Sequence, residues 1–541
     1  MVGIAAVGLM LMVPAAPVPA QPPVKAPKVD RFKAQEFARV VFSAADHVAA
    51  RYAKPVEMKE LIEAAVRGLY EECGLTVPDR VQQSIRTANG ATELVETLAD
   101  VRLLLANQPA LRGPRALFAA INGFRYATDP ACQLVSPRAN TFASIDMDFG
   151  IGIELEGVSG KPWILYQVEY KTALGQLVST GWLESVPQPE AVSAPAGVPW
   201  RVKRVVPESP AQKAGIKPDD IITHFNGTEI TADNVNKLFA KFAFPPQLFD
   251  PQTGQPNPVE RTLTFRRGNG KPFSVSIRGT SYTPASAFGV IRTTEDKWDC
   301  MLDRKYKIGY IRVGAIEVDL DTKIADMLAE LDRRGCRALI LDLRWCPGGY
   351  VDPGLRIAGM LLPQDAIIAQ MKYRTPNLPG NPPEIRNTFL DSKRYTSYPL
   401  VVLVGQETMG GGELIAGALR DNDRCVLIGQ RTVGRASIQN IVDGGFGGLQ
   451  FKVTIGESFR PNGKTRQRKP DSGPNDEWGL KPDDGLEVPI TLDKSHELRR
   501  WAELQALRPF NSTEALDFDD TDKDPYRVKA LNYLRKKLDK K

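Results

Sequence analysis

Two glycine corners hold the residues best placed for chemistry. In "VVLVGQETMGGGELIAGAL" an apolar run ends at Val404, Gly410, Gly411 and Gly412 follow, and a helical Ala/Leu/Ile pattern leaves the corner. In "LILDLRWCPGG" a second apolar run ends in Gly348 and Gly349. A strand-to-helix corner aims free helix N–H groups at one point, where they favour a bound or developing anion. Side chains able to attack a carbonyl lie nearby: Thr408, Cys346 and, in "TVGRASIQ", Ser437. The three histidines, His47, His224 and His496, are far apart in sequence, so a Ser-His-Asp triad is not expected. The six cysteines form no CxxC pair, so neither a zinc site nor any other metal or cofactor is expected. They could pair as disulfides in an exported protein, or stand as buried free thiols.

A third feature is the short glycine loop of "DFGIGIELEG". Phe149, Gly150, Ile151, Gly152 and Ile153 would offer unpaired backbone N–H groups beside a strand edge. That arrangement suits capture of a peptide's terminal carboxylate by strand addition. A plain tight turn would read the same way.

The elements that must position these features change character along the chain. From Arg31 to about Ala127 the pattern is helical: in "MKELIEAAVRGLYEEC", Leu61, Ile62, Ala65, Val66, Leu69 and Tyr70 share one face. From Asp146 the period shortens to that of strands. "WRVKRVVPESPAQKAGIKPDDIITHFNGTEIT" reads as strand, short helix, strand, with a hairpin corner at Gly227, and a second hairpin turns at Gly268–Gly270. From Lys307 strands alternate with helices. "RALILDLR", "PLVVLV" and "DRCVLIGQ" are continuous apolar runs, as buried parallel strands require. Ligands of such sheets bind at the carboxyl ends of the strands, where both glycine corners fall. Near the terminus, Asp524 and Pro525 are the N-cap and first residue of a last helix.

The whole-chain balance excludes several classes. The chain has 541 residues, 42% hydrophobic and 25% charged, which fits a multidomain globular protein. Its 70 basic and 64 acidic residues give a net charge of +6 without a long basic run in the body, so nucleic-acid binding is not expected. The apolar run Ile4–Val13 is 10 residues long, too short for a membrane span. With Val18 and Ala20 fitting a cleavage site after Ala20, residues 1–20 read as a signal peptide lacking the usual basic start, and the protein as exported, periplasmic or extracellular. No later run is apolar enough to span a bilayer.

The ordered blocks "SPAQKAGIKPDDII", "LILDLRWCPGG", "VVLVGQETMGGGELIAGAL", "LIGQRTVGRASIQ" and "FRPNGKTRQ…GLKPDDGLEVP" resemble the C-terminal processing (tail-specific) proteases from about Tyr52 onward. The resemblance implies an α+β multidomain fold. Its parts are a helical N-terminal region (31–145), a PDZ-like β module (146–282), a crotonase-like α/β protease core (283–500) and a C-terminal tail with a helix (501–541). It also implies a serine nucleophile and a lysine base assisted by a glutamine. Aligned on "ELIAGAL", the nucleophile position is Gly410; aligned on "TVGRASIQ", the base position is Arg435 and the glutamine is kept as Gln439. Gly348 and Gly411 fall where the family's oxyanion-hole donors lie. Trp345 and Cys346 stand where asparagines are common, and Asp219 where the PDZ pattern has glycine.

Those departures decide the chemistry. Glycine has no atom with which to form an acyl-enzyme, and a guanidinium holds its proton throughout the neutral range. Loss of a nucleophile alone costs about 10⁶ in turnover in a serine protease. The resulting expectation is an exported pseudoprotease that binds protein C-termini or unfolded peptides. An active serine-type endopeptidase with a displaced nucleophile and a structural scaffold without peptide binding are the alternatives.

Overall fold

The three apolar runs and the strand Ile308–Val313 form the parallel centre of a mixed sheet, with Ala287–Phe288 and Met301–Asp303 pairing antiparallel to Ile308–Val313. The computed structural model describes residues 29–112, 115–135, 148–155, 167–171, 177–182, 200–206, 209–231, 234, 238, 260–278, 280–282, 285–294, 297–373, 384–387, 393–443, 450–469, 471–507 and 524–540. The expected signal peptide, residues 1–20, lies outside them. Strands Ile308–Val313, Ala338–Asp342, Leu400–Val404 and Val426–Gly429 pair in parallel in that order. Every residue of the two central strands is buried.

Strand alternation divides those residues between two cores. Leu339, Leu341, Val402 and Val404 face the helices Leu320–Arg333, Val351–Leu361 and Gly411–Asp421, against Ile324, Leu328, Leu355 and Ile415. Ala338, Ile340, Val401 and Leu403 face the other way, onto the helices Leu492–Ala506 and Pro525–Asp539 through Leu498, Leu531 and Leu534. The last two helices thus cover this face of the sheet together.

A buried ion network fixes that last helix. Asp524 caps it by accepting from the Arg527 amide at 3.2 Å, and Pro525 is its first residue. Arg344, just past the Ala338–Asp342 strand, donates to Asp524 at 2.8 and 2.9 Å and to Asp342 at 2.7 Å. The Tyr310 hydroxyl completes the set, donating to Asp342 at 2.6 Å. Together these bonds compensate for charges removed from water.

A second, antiparallel sheet ties the N-terminal helices to this core. The strand Gln450–Phe459 pairs with Ser437–Asp443, Ile367–Tyr373 and Gln133–Val135. Its Phe451 and Val453 are fully buried among Leu61, Ile62, Leu98 and Phe124 of the helical region. All six residues predicted for one face of the helix Met58–Glu72 are buried there.

The β module has a sheet of order Phe273–Arg278, Glu260–Arg266, Ile221–Phe225, Trp200–Val205, Ile153–Leu155. Both predicted hairpins form, with Gly227 and Gly268 at positive φ. Entry strand Asp148–Gly150 pairs with exit strand Thr280–Tyr282, so the module leaves the core and returns at one place. It docks on the Leu492–Ala506 helix: Arg500 donates to Asp219 at 2.6 Å, and Gln212 to the Ala506 carbonyl at 3.4 Å. Asp219, at φ +70°, keeps the left-handed turn that the PDZ pattern gives to glycine. No helix among the described residues is long and apolar enough to cross a membrane.

Candidate functional site

The strand Leu400–Val404 and the helix Gly411–Asp421 meet at the predicted corner, with Gly410 as the helix N-cap at φ 53°, ψ −110°. Such a conformation is strained for any residue with a side chain and is characteristic of a nucleophile presented at a strand-to-helix turn. A Cβ at Gly410 would meet nothing closer than 3.8 Å, the Pro347 carbonyl oxygen. Its neighbours differ: a Cβ at Gly411 would lie 2.6 Å from Ile316 Cδ1, and one at Gly412 3.1 Å from Cys346. A side chain at 411 would have to displace the Ile316 methyl, and one at 412 would crowd Cys346. At 410 there is room.

The second corner closes on the first. Gly348, at φ +89°, approaches so near that a Cβ there would lie 2.8 Å from the Gly411 amide nitrogen. The Ile316 amide donates to the Gly348 carbonyl at 2.8 Å, and the Tyr350 amide to the Ile316 carbonyl at 2.8 Å. The two predicted donor positions, Gly348 and Gly411, are thus adjacent.

One residue that sequence reasoning missed organises the site. Glu413 is fully buried; its carboxylate accepts from the amides of Gly410 (3.1 Å), Gly434 (2.7 Å) and Arg435 (2.8 Å) and from the Thr432 hydroxyl. Burial pushes its carboxyl above the ordinary range, opposed first by the Arg466 charge and then by these donors. The available signal was a lone acid inside the otherwise apolar helix "GGGELIAGAL".

Glu413 brings the predicted nucleophile and base positions together through their backbones. The Arg435 side chain is exposed. It stands close enough to Lys452 to push that ammonium down, second to the burial of Lys452 itself. Gln439 turns elsewhere, its side-chain nitrogen donating to Thr454 at 2.6 Å and Ser437 at 3.1 Å. Ser437 is thereby an acceptor in the antiparallel sheet.

The other nucleophile candidates are also engaged. Thr408 is buried; its hydroxyl donates to the Leu343 carbonyl at 2.8 Å and accepts from the Gly405 amide at 2.9 Å. The Cys346 thiol is buried, and burial pushes its pKa up to about 12. All six cysteines are free, in line with the buried-thiol reading for Cys132, Cys300 and Cys346.

The predicted peptide-binding loop requires one correction. Phe149 and Gly150 are not in an open loop: they belong to the strand paired with Thr280–Tyr282, because the module's two ends meet there. Open backbone is confined to Ile151 and Gly152, whose carbonyls accept from the Ala211 amide at 2.8 Å and the Val206 amide at 2.9 Å. Ile151 is buried in the module core and Ile153 packs against it. The strand Ile153–Leu155 ends the sheet, with one paired neighbour among the described residues, which leaves an edge for an added strand.

These features join an α/β core with a small β module at one entry and exit point. Residues 307–484 match Peptidase family S41, and residues 201–241 match a PDZ domain. These two regions carry the domain signatures, and the chain is similar to curated carboxyl-terminal processing proteases. It is 27% identical over 287 residues to a carboxyl-terminal-processing protease of Synechocystis sp., covering 52% of this chain and 58% of that one. It is 25% identical over 281 residues to the carboxy-terminal processing protease CtpA of Bacillus subtilis, covering 52% of each. The chain spans about half the length of the curated relatives it matches. Among solved structures, a photosystem II D1 C-terminal processing protease overlaps 87% of this chain and 99% of its own, at 16% identity and a TM-score of 0.40.

Proposed function

We propose that this is an exported, PDZ-containing homologue of the C-terminal processing proteases that binds protein C-termini or extended peptides without hydrolysing them. The observation that carries this reading is position 410. Its backbone keeps the conformation of a presented nucleophile and has space for a side chain, yet the residue is glycine. Arg435 occupies the base position, and neither Thr408 nor Cys346 offers a free nucleophile. What remains is a peptide-binding frame: the Ile153–Leu155 edge, and at the corner the Gly411 amide with the charges of Arg435 and Lys452. Export rests on Ile4–Val13 and the small residues before Gln21.

Three measurements on the full chain test the proposal. An unfolded protein with an apolar C-terminus should remain intact on incubation, and a fluorophosphonate probe should label no residue of the core. Calorimetry should show a peptide with a free C-terminus binding more tightly than its amidated form. Cleavage with matching probe labelling would establish an active peptidase with a displaced nucleophile. Equal affinity for the two peptides would mean the carboxylate is not read, and the module would then be a structural spacer.

A further inference from the structure

A cleft of about 340 Å³ lies away from the corner, between the far end of the Gly411–Asp421 helix and the segment 460–481. Arg420, on its wall, is nine residues from Gly411, so the two are about 14 Å apart along the helix. The volume has room for on the order of ten waters.

Five cations line the cleft, Arg420, Arg431, Arg460, Lys464 and Lys481, against one carboxylate, Glu477. Three of the five have acidic partners: Arg420 pairs with Asp483 at 2.9 Å, Arg460 with Asp421 and Lys464 with Glu477 at 3.0 Å. Arg431 is held differently. It donates to the carbonyls of Trp478 (2.9 Å), Pro474 (2.7 Å) and Asp476, which orient the guanidinium; the Asp476 carboxylate favours its charge from nearby but forms no ion pair with it among the described contacts. Those three bonds use three of its five N–H groups, leaving two to donate. Its plane lies 3.7 Å from the centroid of the Trp478 ring, and a further cation, Arg468, lies 4.4 Å from the same ring. Lys481 is exposed; its backbone carbonyl accepts from Arg420, and its charge favours ionised Glu477 after those of Lys464 and Arg460.

Gathering like charges around one space is unfavourable unless opposite charge fills it. We propose that this cleft binds the diphosphate group of a small ligand, held by Arg431 and Lys481 with Arg420, Arg460 and Lys464 around it. Arg431 presents a fork of N–H donors suited to two phosphate oxygens, and Lys481 supplies a mobile point charge. Glu477 is the element that opposes binding, by its own charge and by occupying Lys464.

The test is calorimetric titration of the full chain with inorganic pyrophosphate and, separately, with a nucleoside diphosphate, ADP. Arg431 also holds the 473–478 turn, so substitution there could unfold the site; Lys481 and Glu477 are exposed and serve instead. Lys481→Glu should weaken binding at least about two- to fivefold, and Glu477→Gln should tighten it by a similar factor, with unchanged circular dichroism. Raising salt from about 0.1 to 1 M should weaken binding, since screening shortens to about 3 Å. Equal affinity for the two probes would mean that the diphosphate alone is read, and tighter ADP binding that a nucleoside adds contacts; both uphold the site. No saturable heat with either probe, or affinities that ignore both substitutions, would overturn it.

Discussion

Glu413 accepts from the Arg435 amide at 2.8 Å with the same carboxylate oxygen that accepts from the Gly410 amide at 3.1 Å. One buried acid therefore fixes the backbone of both positions that the proposed reading assigns to a nucleophile and a base. On the proposed reading, the backbone frame of a dyad is kept at positions whose side chains are glycine and arginine.

That relationship predicts a large effect from Glu413→Ala. The change removes the acceptor of three amides and the Thr432 hydroxyl in a buried setting, at about 1–3 kcal/mol for each donor left unsatisfied. A net loss of about 3 kcal/mol or more is expected in urea denaturation. A loss below about 1 kcal/mol would show that water replaces the carboxylate and that it does not organise the corner.

Gly410→Ser opposes two effects. Space is available, with the nearest neighbour of a new Cβ 3.8 Å away, but φ +53° should cost about 1–3 kcal/mol in strain. The variant should fold, melt at a lower temperature than the parent, and stay unreactive toward fluorophosphonate, because Arg435 cannot take the proton. Labelling of the single variant would show that another base serves position 410. The double variant Gly410→Ser with Arg435→Lys is the one in which both reacting groups are restored.

Buried acidic groups predict sensitivity to alkali. Burial raises the Cys346 thiol to about 12 and moves Cys300, Cys425, Tyr310 and Tyr526 in the same direction. Each folded pKa lies above its unfolded value, so the folded state holds these protons longer. Their stabilising contribution is complete below about pH 8.5 for the thiols and 10 for the tyrosines, and is lost as pH rises toward the folded values. Denaturation midpoints should fall progressively above pH 9, and iodoacetamide at pH 8 should leave Cys346 unmodified in the folded chain. Rapid alkylation of Cys346 at pH 8 would mean the thiol is accessible and would reopen it as a nucleophile.

Much of the fold was legible because its signals are local. The parallel strands announced themselves as unbroken apolar runs, since both faces of each are covered. The hairpins at Gly227 and Gly268 and the Asp524 cap follow from turn and capping chemistry confined to a few residues. The loop at Phe149–Ile153 was less readable. Pairing of Asp148–Gly150 with Thr280–Tyr282 joins segments 130 residues apart, and nothing in "DFGIG" reports its distant partner.

The sequence by itself determined what stands at positions 410 and 435: glycine carries no nucleophilic atom, and a guanidinium keeps its proton near neutral pH. It also determined the alternation of strands and helices that puts both glycine corners at the carboxyl ends of one sheet. The tertiary structure alone decided how those corners are held. Close approach of Gly348 to Gly411, the buried carboxylate linking 410 to 435, Phe451 filling the helical core and the Arg500 clasp on Asp219 all join residues remote in the chain. Such contacts depend on packing geometry, and local propensity and periodicity carry no record of it.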